Sequence, residues 1–170
     1  MITPEYCRMM ARYNAWQNRQ IELGLQGMSL EALKADHGTF FGSILGTLNH
    51  LLWGDAIWMS RFDRGFEKPA GGIKESVDLC PTLGTWSAER FRLDAQIAAW
   101  AEDLHAVDLA GRFTFTSAVL GGEVSRPIAL CVVHMFNHQT HHRGQIHAMM
   151  TRTGLDAPVT DLFLMPEEEE

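Results

Sequence analysis

Residues 39–62 read TFFGSILGTLNHLLWGDAIWMSRF, and their spacing decides the fold class. Phe41, Ile44, Leu45, Leu48, Leu52, Met59 and Phe62 fall on one face of a helix. A second side carries Trp53 and Ile57, so this helix should contact two others. Asn49, His50 and Asp55 interrupt the apolar run, which therefore does not read as a clean membrane span.

Three further segments have helical length and periodicity. Residues 4–27 begin at Pro4, suited to a first turn behind a Thr3 cap, and end at Gly24 and Gly27. Met9, Tyr13, Trp16 and Ile21 mark their apolar side. Residues 82–105 carry Trp86, Phe91, Ile97 and Trp100. Residues 127–153 start at Pro127, with Gly154 past their end. All five tryptophans (Trp16, Trp53, Trp58, Trp86 and Trp100) have the spacing of core residues, and Trp53 could also line a pocket. Residues 65–81 form a Gly- and Pro-rich loop, long enough to be a crossover rather than a tight hairpin. Arg112-Phe113-Thr114-Phe115-Thr116 alternates with period two, and Gly121-Gly122 and a polar stretch to Arg126 follow, predicting a short β-hairpin. The expected architecture is all-α: one domain over residues 1–170, a four-helix bundle with a long crossover between helices two and three and a hairpin between three and four. The apolar residues of the tail 160–165 are expected to dock on the bundle.

Composition bounds the partners. The 170 residues carry a net charge of −7, of which the four glutamates at 167–170, read as a solvated tail, supply −4. An acidic body argues against nucleic-acid binding, which needs a basic surface. The N-terminus lacks a basic region followed by an apolar run, so no signal peptide is read. Cys7, Cys80 and Cys131 are odd in number and contain no CxxC pair, so a reducing cytoplasm without a disulfide framework is expected.

Five of the eight histidines lie in the fourth segment, at 134, 138, 141, 142 and 147. Each helical residue advances about 100°. His138 and His142 then sit one turn apart beside the apolar cluster of Val132, Met135, Phe136 and Ile146, while His134, His141 and His147 rotate away. Two imidazoles at i and i+4 can bind one ion. A third ligand must come from another helix, and His50, amid Leu48, Leu51, Leu52 and Trp53, is the candidate. Three neutral imidazoles with an open position make a catalytic-type site for Zn, Ni, Fe or Mn. The ordinary alternative for such a pair is a solvated or hydrogen-bonded one. The segment lacks the Glu of HExxH, and the single Glu102-Asp103-Leu104-His105 cannot build a di-iron bundle. Asp55, Gln139, Arg143 and Gln145 are candidates to support the ligands or touch substrate. The alternative is an interhelical hydrogen bond, or for Arg143 a solvated dimer-face position, and Asp55, on the main apolar face rather than beside His50, is better read as capping a partner group or pairing with an arginine.

These residues carry a resemblance. Tyr13-Asn14-Ala15-Trp16-Gln17-Asn18, the stretch Phe40 to Leu52 with Asp55, Trp58 and Arg61-Phe62, the run Asn137-His138-Gln139-Thr140-His141-His142-Arg143-Gly144-Gln145 and the tail Thr160-Asp161-Leu162 resemble the DinB/YfiT-like family of bacterial metal-binding four-helix proteins, which is unrelated to the DNA polymerase of similar name. The resemblance covers nearly the whole chain. It implies a divalent metal on His50, His138 and His142, a homodimer, and a metal-dependent thiol S-transferase or thiol-dependent isomerase acting on a small electrophile. The thiol would be a low-molecular-weight one such as mycothiol, bacillithiol or glutathione. A non-catalytic metal-binding stress-response protein, a metal-assisted hydrolase and a metal-free helical interaction module are the competing readings.

Overall fold

The computed structural model describes residues 2–167. The acidic run expected to form a solvated tail lies, apart from Glu167, outside the described residues. Among the described residues the α-helices are α1 (Pro4–Leu25), α2 (Leu30–Lys34), α3 (Ile44–Phe62), α4 (Leu83–Asp103) and α5 (Ile128–Arg152). Strands β1 (Arg112–Ser117) and β2 (Gly122–Pro127) form an antiparallel hairpin between α4 and α5. The four long helices are those expected, with the hairpin in its expected place.

Local chemistry sets the boundaries. The Thr3 hydroxyl accepts from the Tyr6 N–H at 3.4 Å, with Pro4 in the first turn of α1. Thr82 and Thr85 form a capping box at the start of α4. Helix α3 starts later than its apolar spacing suggests, because Gly42 takes φ +73° and Ser43 caps the Gly46 N–H at 3.0 Å. Phe41 thus precedes the helix. Pro127 is likewise the last residue of β2, not the first turn of α5. Gly24 lies inside the last turn of α1, where a Cβ would stand 2.8 Å from the Met150 methyl. Helix α2 was not expected; its five residues, capped by Ser29, are too few to show a period, yet Leu33 is buried.

Contacts between helices fix the topology. Arg8 approaches Glu102, and Ser87 donates to Glu22, so α1 and α4 are antiparallel. His50 meets His138 while Trp58 packs on His134, so α3 and α5 are antiparallel. Helices α3 and α4 are parallel: the Trp86 indole N–H donates to the Leu48 carbonyl at 3.0 Å, Asp55 pairs with Arg90, and Phe62 stacks on Trp100. Helices α1 and α5 are also parallel, with Tyr6 against Phe136 and Tyr13 beneath Arg143. Two consecutive parallel helices require a chain that returns along the bundle, and the loop 63–82 makes that crossover. Asn49 anchors it, donating to the carbonyls of Val77 at 2.8 Å and Cys80 at 2.9 Å.

The core is built from Leu45, Leu48, Trp86, Ile97, Phe136 and Met149. Met9 and Phe91, expected on apolar faces, are 37% and 73% exposed. The tail also differs from expectation. It is held by its backbone: Tyr13 Oη donates to the Thr160 carbonyl at 2.5 Å and Gln17 Nε2 to the Val159 carbonyl at 3.0 Å. The side chains of Leu162, Phe163 and Leu164 turn outward, with Phe163 82% exposed, and Met165 is half-buried. All three cysteines are free and buried. Among the described residues no helix is long and apolar enough to cross a membrane.

Candidate metal centre

His50 on α3 and His138 and His142 on α5 come together between the two antiparallel helices. One ring nitrogen from each lies within 4.8 Å of the others. His50 and His142 are buried and His138 is half-buried. Helix angles single out His138 and His142, and apolar neighbours single out His50; the structure brings these three side chains together.

Hydrogen bonds orient two of the rings. Ser76, on a short 3-10 turn of the crossover loop (Glu75–Asp78), donates to the Ile73 carbonyl at 2.7 Å. Its oxygen is then free to accept from His50 Nδ1, 3.0 Å away, which leaves the His50 Nε2 lone pair toward the cluster. Gln145 does the same for His142: its amide N–H faces His141 Nε2 at 3.2 Å, and its Oε1 lies 2.8 Å from His142 Nδ1. His142 Nε2 is left with a free lone pair. His138 Nε2 stands 3.2 Å from His50 Nε2. Two nitrogens each about 2.0–2.1 Å from one tetrahedral ion would be roughly 3.3 Å apart, so this spacing suits a shared cation. His138 Nδ1 is buried with no hydrogen-bond partner.

Packing holds the rings. Phe41 stacks on His50 with centroids 3.7 Å apart and meets His142 edge-on at 5.3 Å. Gly54 opens the space for His138, since a Cβ there would stand 2.8 Å from His138 Cε1. Burial, and then the neighbouring ring of His142, push His50 down to about 4. Burial and the surrounding rings, His142 foremost, push His138 down to about 3. His142 is also lowered, mainly by burial. The rings are therefore neutral near pH 7, the state that binds a metal.

The other candidates separate cleanly. Gln145 stands directly behind His142. Asp55 is not at the cluster; its Oδ2 accepts from Arg90 Nη1 at 2.6 Å inside the bundle. Arg90 also meets Asp94 at 2.9 Å, and Asn18 donates to both Asp94 oxygens at 3.1 Å. Gln139 is buried, and Arg143 is 3% exposed, so Arg143 is not the solvated side chain of the alternative reading. Burial lowers Arg143 to about 10. Its guanidinium lies 5.4 Å from the Tyr13 ring centre. His134 and His141 are exposed, and His105 lies beyond α4, facing Asp108. Sequence reasoning missed Ser76, Phe41 and Gly54 as parts of the site.

The histidines floor a cavity of about 650 Å³. Trp53, Ile57, Trp58, Phe115 and Val124 are among its walls, so Trp53 and Trp58 do more than fill the core. The hairpin closes one side, with Phe115 edge-on to Trp58 and Phe113 edge-on to Phe62. A larger cleft of about 880 Å³ lies between the crossover loop and α4, but Glu67, Lys68, Glu89 and Arg92 line it and no histidine does.

Comparison with known proteins agrees with this fold. The chain is 22% identical over 163 residues to Protein DinB of Bacillus subtilis (strain 168), covering 94% of this chain and 93% of that protein. The crystal structure of a DinB-like protein from Bacillus cereus ATCC 10987 superposes with a TM-score of 0.63 at 20% identity, over 86% of this chain and 90% of that one. The family model described as DinB family matches residues 1–170. The chain belongs to the DinB family.

Proposed function

We propose that His50, His138 and His142 hold one divalent metal ion, and that the protein is a metal-dependent thiol S-transferase or thiol-dependent isomerase acting on a small electrophile. The observation that carries this reading is the meeting of three neutral imidazoles, two of them oriented by hydrogen bonds, at the base of an apolar cavity. A bound divalent ion would lower the pKa of a thiol or water at its open position. The protein's own part is positional. Ser76 and Gln145 hold the lone pairs of His50 and His142 toward the centre. Phe41 and Trp53 keep the rings in place and limit water.

The cavity lining favours a thiol over water as nucleophile. It carries no Asp or Glu among the described residues, which leaves His134 as the imidazole there outside the proposed ligand set. A thiol, with an unperturbed pKa near 8.5, needs far less help to ionise than water. Cobalt-substituted protein tests this. Low-molecular-weight thiols are expected to add sulfur-to-metal charge-transfer absorption, and a panel of thiols and electrophiles should give turnover that chelation abolishes. Metal binding without any thiol response or turnover would favour the non-catalytic alternative.

A further inference from the structure

The cavity extends from the histidines toward the hairpin along an ordered path. His134 lies 5.9 Å from His138 between ring centres, Trp58 is edge-on to His134 at 5.0 Å, and Arg61 lies over Trp58. The Arg61 guanidinium is clamped between aromatic rings, 4.5 Å from the centres of both Trp58 and Phe115. One of its N–H groups donates to the Thr116 carbonyl at 3.3 Å. Arg126, on β2, lines the same end. Among the described residues neither arginine forms an ion pair, whereas Arg8, Arg90 and Arg92 each do. A half-buried guanidinium in apolar surroundings gains from an anionic partner, and this cavity supplies none from its own lining.

We infer that the cavity takes a small molecule with an apolar body and one anionic head, a carboxylate or sulfonate held by Arg61 and Arg126. The apolar body lies against Trp53, Trp58 and Val124, and the end remote from the anion faces the histidines. This assignment rests on the reading of the cavity as the substrate chamber of the metal centre. Charge complementarity carries it: the lining offers cations and apolar walls with no opposing carboxylate.

The test uses two fluorescent probes of one shape, 1-anilinonaphthalene-8-sulfonate and the uncharged N-phenyl-1-naphthylamine. They are titrated into the full chain, metal-free and zinc-loaded, with zinc content measured on the same samples. The sulfonate is expected to bind about tenfold more tightly than its neutral twin. Octanoate should displace it and octylamine should not. In Arg61→Met/Arg126→Met the preference should fall to about twofold or less. Arg126→Met alone, at an exposed position, should weaken it without disturbing the fold. Equal binding of the twin probes to the unaltered protein, or a preference unchanged in both variants, overturns the inference. Protein that cannot be loaded with zinc yet still prefers the sulfonate would sink the metal reading and leave the inference standing, so the two failures are distinct.

Discussion

Ser76 contributes to the candidate centre without touching a metal. Its oxygen accepts from His50 Nδ1, and removing it frees that ring to take the other tautomer. Ser76→Ala is expected to weaken zinc affinity by about 10–100-fold while leaving the fold intact. Competition with a calibrated chelator measures this, and an unchanged affinity would show that the hydrogen bond orients nothing. Gly54 acts through space. A Cβ 2.8 Å from His138 Cε1 must displace that ring, so Gly54→Ala should cost about 1–3 kcal/mol in urea unfolding and weaken metal binding as well. His138 and His142 were legible because helical spacing gives them one direction, and His50 because a histidine amid apolar neighbours needs a partner. Ser76 was not, because it sits on a short turn of the crossover loop where spacing assigns no face, and Phe41 was read into the helix that it precedes. Gly54 was missed for another reason: a glycine carries no chemistry to notice, and its value is the volume it leaves.

At the scale of elements, a buried polar layer ties α1, α3 and α4 together through Asn18, Asp55, Arg90 and Asp94. Arg90 is the shared cation of this layer, and removing it leaves two buried carboxylates uncompensated. Arg90→Met is expected to cost about 3 kcal/mol or more. Chemical denaturation checks it, and a loss under about 1 kcal/mol would show that the carboxylates find equal compensation elsewhere. That Asp55 needs a partner was legible from its place on an apolar face, with an arginine as one of two options beside a capped group. Which arginine was not, because that depends on α3 and α4 running parallel. The long helices were legible from their period and caps. Short α2 was not, and the exposed Phe91 and Met9 show that apolar spacing alone overcounts the core. The tail was misjudged because backbone carbonyls, which no side-chain pattern records, do the docking.

For the molecule as a whole, the bundle brings α3 and α5 side by side and concentrates neutral imidazoles between them. The unfolded chain takes up protons on these histidines near pH 6.5, whereas in the folded protein His50 and His138 titrate at about 4 and about 3. Between those values the unfolded state binds more protons, so folding stability is fully present above about pH 6.5 and falls as the pH drops toward 4. Metal affinity should fall over the same range, because protons compete for the same lone pairs. Thermal unfolding with and without zinc across pH 4–8 would show both trends, and a flat profile would mean that the rings are not buried as neutral groups. The crossover was legible as a long loop, but the placing of Ser76 against His50 required the anchor that Asn49 provides. The most direct test of the metal centre is the metal content of tag-free protein by inductively coupled plasma mass spectrometry, beside His50→Ala, His138→Ala and His142→Ala. The account predicts close to one divalent ion per chain in the unaltered protein and its loss from each folded variant. Protein that arrives empty and cannot be loaded with zinc, nickel, iron or manganese would contradict it.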